Sequence, residues 1–249
     1  MKKYYQDFLL MVQLLTRIPV RKELPCRDEN FRRGAYFFFV IGIIIGSLQY
    51  AFYRLLDGNI PDYSISILLI LIDVFITGGF HIDGFGDSCD GFFAAKGRDK
   101  VLDIMKDSRI GTFAAIGIII NLLIKFEAYK FIAVNGEFSG ILFFIPMISR
   151  AAMVFLCLIG RPAKEGGLGN LFINNVGIGQ LLVNILGTAA MGFIAGIGLE
   201  TLMFYLIAVS VVAWLFNKLC EDKIGGITGD SLGAINELVT LTLLLFITI

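Results

Sequence analysis

Phe138-Ser139-Gly140-Ile141-Leu142-Phe143-Phe144-Ile145-Pro146-Met147-Ile148-Ser149-Arg150-Ala151-Ala152-Met153-Val154-Phe155-Leu156-Cys157-Leu158-Ile159 holds a single charged residue, Arg150, in an otherwise apolar run. A helix needs roughly 17–25 mainly apolar residues to cross a hydrocarbon core about 30 Å thick, and this run has that length. Working outward, Ala35 to Leu56, Ile65 to Phe80, Ile110 to Ala133, Ile178 to Leu199 and Leu202 to Phe216 read the same way, with a shorter seventh run from Glu237 to Ile249. None shows the strict alternation of barrel strands, and lipid offers the backbone no hydrogen-bond partners, so helices are predicted throughout. The expected fold is all-α, a polytopic integral membrane bundle of about seven transmembrane helices.

Composition agrees. Hydrophobic residues make up 57% of the chain, charged residues 17%, and the mean hydropathy is +0.80, values that exclude an ordinary soluble domain. Lys+Arg and Asp+Glu balance at 21 each, so no basic field invites nucleic acid. Cys26, Cys89, Cys157 and Cys220 show no paired spacing, which argues against a disulfide framework or a zinc site. Met1-Lys2-Lys3 opens the sequence without an apolar core and small-residue cleavage site behind it, so no removable signal peptide is expected. No internal repeat or linker divides residues 1–249, which are read as a single domain.

Orientation follows from lysine and arginine, which are retained on the cytoplasmic side of short loops. The segments before the first run, between the second and third, between the fourth and fifth, and between the sixth and seventh hold 8, 5, 2 and 2 of the 21 basic residues. The N-terminus is therefore expected in the cytoplasm, in a cell membrane, with the motif-bearing loops on that same face.

The densest chemistry is His81-Ile82-Asp83-Gly84-Phe85-Gly86-Asp87-Ser88-Cys89-Asp90-Gly91, directly after an apolar run. On a helix, Asp83, Asp87 and Asp90 stand at i, i+4 and i+7 and share a face. Like charges so placed repel, the more so beside a membrane, and a cation removes the conflict. Oxygen-only ligands suit Mg²⁺, Mn²⁺ or Ca²⁺, with Mg²⁺ the first choice because it commonly accompanies phosphate substrates. The plainer account is a solvated acidic helix end. Asp103 and Asp107 form a second i, i+4 pair, or belong to a charged surface helix with Arg98, Lys106 and Arg109. His81, the only histidine, is a candidate general base, metal ligand or substrate donor, or an interfacial structural residue. Arg150, inside a span, must face the protein interior and meet an anion, either a substrate or an internal partner such as Asp73. Lys125 and Glu127 are read as interface or packing charges. Two glycine-rich loops look suited to phosphate, or are simple turns: Arg161 to Gly169, with Arg161 and Lys164, and Gly225-Gly226-Ile227-Thr228-Gly229-Asp230, with Thr228 and Asp230.

These residues together resemble a known family, the cobalamin synthases or adenosylcobinamide-GDP ribazoletransferases. The resemblance rests on Thr16-Arg17-Ile18-Pro19-Val20, on His81 to Gly91 as an HxDGxxDxxDG signature, on Gly97-Arg98 and Ile104-Met105-Lys106-Asp107-Ser108-Arg109-Ile110-Gly111, and on Gly225 to Ala234 with Glu237. It implies transfer of the cobinamide-phosphate moiety of adenosylcobinamide-GDP to α-ribazole, or α-ribazole 5′-phosphate, with release of GMP. It also implies Mg²⁺ on Asp83, Asp87 and Asp90, supporting ligands at Asp103 and Asp107, and phosphate contacts from Arg17, Arg98, Lys106, Arg109, Arg150, Arg161, Thr228 and Asp230. His81 or a carboxylate would take the acceptor's proton. Lipid surrounds the protein, and a homo-oligomer or a complex with other corrinoid-pathway enzymes is compatible with the sequence.

Two other readings compete. A CDP-alcohol phosphotransferase also clusters aspartates at a membrane surface, but Asp90-Gly91 lacks the Ala-Arg that its pattern requires. A cation transporter would spread acids through several spans, and Asp73 is the sole acid near the middle of one.

Overall fold

The computed structural model describes residues 2–94, 97–136 and 139–248. The expected run boundaries at Phe138 and Ile249, and Met1, lie outside them. Eleven α-helices follow in order: α1 (Lys2–Leu15), α2 (Asp28–Gly34), α3 (Phe38–Leu56), α4 (Asp62–Thr77), α5 (Phe80–Ala94), α6 (Arg98–Ile104), α7 (Thr112–Val134), α8 (Gly140–Ile159), α9 (Ile178–Ile194), α10 (Leu199–Ile224) and α11 (Gly229–Thr248). Among the described residues the only β pairing is an isolated parallel bridge between Pro162 and Ile227. The all-α class stands.

Among the described residues, each apolar run of the sequence carries a helix, but the helices are unequal. Five stretches are long and apolar enough to cross a membrane: Asp28–Leu56, α7, α8, α10 and α11. The α4 run reaches that standard only together with α5, from which it diverges by 91°, and α9 is a shorter apolar helix. Length and composition thus support five spans, or six with the bent pair, in place of about seven. The final run is also longer than expected, because α11 starts at Gly229 and not at Glu237. Its early turns, Asp230 to Asn236, are too polar to register as a lipid-facing run, yet they are helical because they pack against α5.

The core lies around α8, whose side chains are buried on nearly all sides. α3 packs along it at close range: a Cβ on Gly42 would fall 2.4 Å from the Met147 Cα and one on Gly46 2.4 Å from the Phe143 carbonyl oxygen. Small residues at a four-residue spacing let two membrane helices approach this way. At the end of α4, Gly78 and Gly79 both take positive φ, 67° and 71°, a conformation open to glycine at little cost. The chain there turns through its 91° bend, and α5 leaves the axis of the span. Before the first span, α1 is clipped to α2 by the buried Asp7, which accepts hydrogen bonds from Arg33 Nε (2.7 Å) and Asn30 Nδ2 (2.6 Å).

Candidate active site

α5 is the helix that the aspartate spacing requires, and it lies flat against the beginning of α11. The contact is backbone to backbone: a Cβ on Gly84 would sit 2.8 Å from the Asp230 carbonyl oxygen, and one on Gly233 3.0 Å from that of His81. Any larger residue at position 84 would separate the two helices. Their closeness sets Asp230 beside Asp83 and Asp87. Burial, with Asp83, Asp230 and Asp90 as surrounding like charges, pushes the Asp87 carboxyl up to about 7. The start of α11 is fixed by a reciprocal cap, in which the Thr228 amide donates to Ser231 Oγ (3.1 Å) and the Ser231 amide to Thr228 Oγ1 (3.3 Å). The Thr228 hydroxyl is also 3.2 Å from Asp230 Oδ2.

The third aspartate of the triplet has a different occupation. Asp90 is buried and accepts hydrogen bonds from the amides of Gly111 (2.6 Å) and Ala114 (2.8 Å), so its carboxylate caps α7 from a neighbouring helix. An anion at a helix N-terminus is favourable, and this one anchors the loop that precedes α7. That loop carries Lys106, Asp107, Ser108 and Arg109, which with Asp83 and Asp87 line a cavity of about 190 Å³. Within it, Arg109 Nε donates to Asp107 Oδ1 at 3.0 Å and holds the exposed Asp107 carboxyl down at about 2. Asp103 is exposed on α6, away from the cavity lining. Among the described residues, no three His, Cys, Asp or Glu side chains form a ready-made metal cage.

The two glycine-rich loops prove to be one unit. The Ala163 amide donates to the Ile227 carbonyl (2.9 Å) and the Ile227 amide to that of Arg161 (2.8 Å), pairing residues 161–163 with 225–227. Arg161 Nε donates to the Gly225 carbonyl at 3.0 Å, and Arg98 Nε to that of Ile224 at 2.9 Å, with a further Arg98 bond to Ala163. Both guanidiniums therefore clamp backbone carbonyls, where a phosphate contact was expected. Lys164, which the sequence grouped with Arg161 as a basic residue suited to phosphate, lines the same cavity as Asp230. Its signal was the glycine stretch after it; the shared cavity lay beyond the reach of spacing.

Three further candidates lie apart. Arg17 is at the α4–α5 bend, its amide donating to the Ile76 carbonyl (2.7 Å), and lines an apolar groove with Pro19, Phe52 and Phe75. His81 is 2% exposed beneath α11, and neither ring nitrogen has a hydrogen-bond partner among the described residues. Arg150 is likewise 2% exposed, and donates to the Pro146 carbonyl at 3.1 Å. Asp73 pairs not with Arg150 but with Lys125, whose Nζ lies 2.9 Å from Asp73 Oδ2 and 2.8 Å from Glu237 Oε2. Lys125 is no interface charge: it is fully enclosed, and Asn121 Nδ2 completes the set with a 2.9 Å bond to Glu237.

The acidic ridge, the paired loops and the pre-α7 loop thus meet at one end of the bundle. The chain matches the family model described as cobalamin-5-phosphate synthase over residues 7–248. The chain belongs to the cobalamin-5-phosphate synthase family. Curated relatives named adenosylcobinamide-GDP ribazoletransferase include one from Clostridium tetani, 43% identical and covering 98% of this chain and 97% of the relative. Others come from Clostridium botulinum strain Okra, 42% identical with 99% of each chain covered, and Clostridium kluyveri, 43% identical with 96% and 94% covered. No solved structure matches the chain. Membership in the cobalamin-5-phosphate synthase family makes the protein an enzyme of cobalamin assembly.

Proposed function

We propose that this chain transfers the cobinamide-phosphate of adenosylcobinamide-GDP to a ribazole acceptor, at the ridge formed by Asp83, Asp87 and Asp230. The observation that carries this reading is the family match across residues 7–248, which includes all three carboxylates. In the reaction, a hydroxyl of α-ribazole, or of its 5′-phosphate, forms a new bond to the phosphorus that carries cobinamide. The bond from that phosphorus to the GMP oxygen breaks, GMP leaves, and the acceptor's proton passes to a carboxylate or to water. His81 is enclosed beneath α11, whereas Asp87 borders an open cavity, so Asp87 is the better placed proton acceptor.

The donor chemistry suits a hard divalent cation. Asp83, Asp87 and Asp230 present oxygen alone, and the burial and like-charge crowding that raise Asp87 both disfavour its carboxylate, a cost that such an ion relieves. Asp83 and Asp87, joined by Asp230, would hold Mg²⁺, while Asp90 stays on α7. Bound there, Mg²⁺ would offset the negative charge of the diphosphate and of departing GMP. Lys106 and Arg109 on one side and Lys164 on the other give the chain's own positive charge around the ridge. The charge distribution along the sequence supports a cytoplasmic face for this end of the bundle, in the cell membrane.

The test is direct. Purified protein in detergent, given adenosylcobinamide-GDP, α-ribazole and Mg²⁺, is expected to release GMP and form the corrinoid product in equal amounts, and to stop when the metal is chelated. Absence of both products under conditions that support the Clostridium tetani relative would overturn the assignment.

A further inference from the structure

A second cavity, of about 260 Å³, reaches the ridge at Asp230, and its lining includes none of the pre-α7 loop. Its buried lining is apolar: Leu15, Phe38, Met153, Phe172 and Leu232. Its rim is polar, with Lys164, Asn170, Thr228 and Asp230 beside the Gly166 to Gly169 backbone. A ligand matched to this shape has a compact apolar body and a polar tail that ends at the carboxylate ridge.

Resting on the reaction proposed above, the geometry points to this cavity as the acceptor's base pocket: the alkylated, bicyclic aromatic base of the ribonucleoside lies among Phe38, Met153 and Phe172, and its ribose reaches Thr228 and Asp230. The guanosine of the donor fits poorly, because the carbonyl and N–H groups along its edge would face apolar side chains and lose their hydrogen bonds. A dimethylated benzimidazole has no such edge, and its methyl groups gain from leaving water. The corrinoid is too large for the space. The cavity lined by Asp83, Asp87, Lys106, Asp107, Ser108 and Arg109 is charged where this one is apolar, and its Lys106, Ser108 and Arg109 offer a diphosphate the donors that an apolar pocket lacks. Acceptor and donor then occupy different cavities that meet at one acidic ridge.

Steady-state kinetics on the purified full-length protein test this. The acceptors are the ribosides of 5,6-dimethylbenzimidazole, of unsubstituted benzimidazole and of hypoxanthine. Loss of both methyl groups is expected to raise the acceptor KM about tenfold, with the hypoxanthine riboside poorer still. Met153→Ala, by opening the pocket, should reduce the difference between the two benzimidazoles to about threefold or less, and should leave the KM for adenosylcobinamide-GDP within about twofold. Leu168→Trp alters a 56% exposed side chain at the rim and should raise the acceptor KM alone. A KM that is flat across the three bases, or pocket variants that weaken the donor and spare the acceptor, would overturn the pocket while leaving the reaction standing. If no acceptor gives GMP from the wild-type protein, the reaction itself fails. Because the base series needs no variant, an unstable Met153→Ala does not decide the matter.

Discussion

Two groups of carboxylates in this bundle, separated by little more than a helix, behave in opposite ways. Asp73 and Glu237 lie in the interior, each within 2.9 Å of the Lys125 ammonium, with Asn121 completing the shell of Glu237. Asp83, Asp87 and Asp230 crowd together at the end of the bundle, with Lys164 lining the cavity that Asp230 also borders. A charge enclosed among membrane helices persists where a neighbour neutralises it. A surplus of one sign at an open rim is retained for something that arrives from outside. The first group therefore holds the fold, and the second is the one proposed above to take a ligand, although the residue types are the same.

Substitutions can break that comparison. Asp87→Asn removes charge from the open group and should lower GMP release on the order of a thousandfold, with normal amounts of folded protein in the membrane. Unchanged turnover would end the metal role. Lys125→Met in the enclosed group strands two carboxylates and should destabilise the bundle by about 3 kcal/mol or more, seen as a lower unfolding temperature in detergent. The accompanying changes Asp73→Asn and Glu237→Gln should restore much of the loss; no restoration would mean that Lys125 does more than balance charge. Asp90→Ala sharpens the boundary between the groups. It should cost about 1–2 kcal/mol through the α7 cap, and the Mg²⁺ concentration for half-maximal activity should stay where it was. A large rise in that concentration would return Asp90 to the metal. The smallest effect is expected from Arg161→Ala, about 1 kcal/mol or less through one hydrogen bond to the Gly225 carbonyl. A loss in donor binding out of proportion to stability would show that Arg161 also contacts phosphate.

The enclosed group also bears on transport. Asp73 is not alone in the interior, since Glu237 joins it once α11 is seen to begin at Gly229. Both acids share Lys125, so the ammonium ties them into one enclosed cluster.

The sequence by itself determined the membrane class, the helical state of each apolar run, the helix that carries Asp83, Asp87 and Asp90, and the family. All of these are written in local signals, namely hydropathy over one bilayer thickness, a four-residue spacing, and motifs in a fixed order. The tertiary structure decided which charges are occupied. Asp90 is bound to Gly111 and Ala114, Lys125 to residues 52 positions before and 112 after it, and Arg98 and Arg161 to carbonyls of the second glycine loop. It also turned α5 by 91° from α4, gave α11 its polar first turns, and set Asp230 against the acidic ridge. The physical reason is range: a hydrophobic run advertises its solvent at every residue, whereas a carboxylate looks the same in sequence whether it faces an ammonium, a helix end or open water. Only the packing of distant helices chooses among the three.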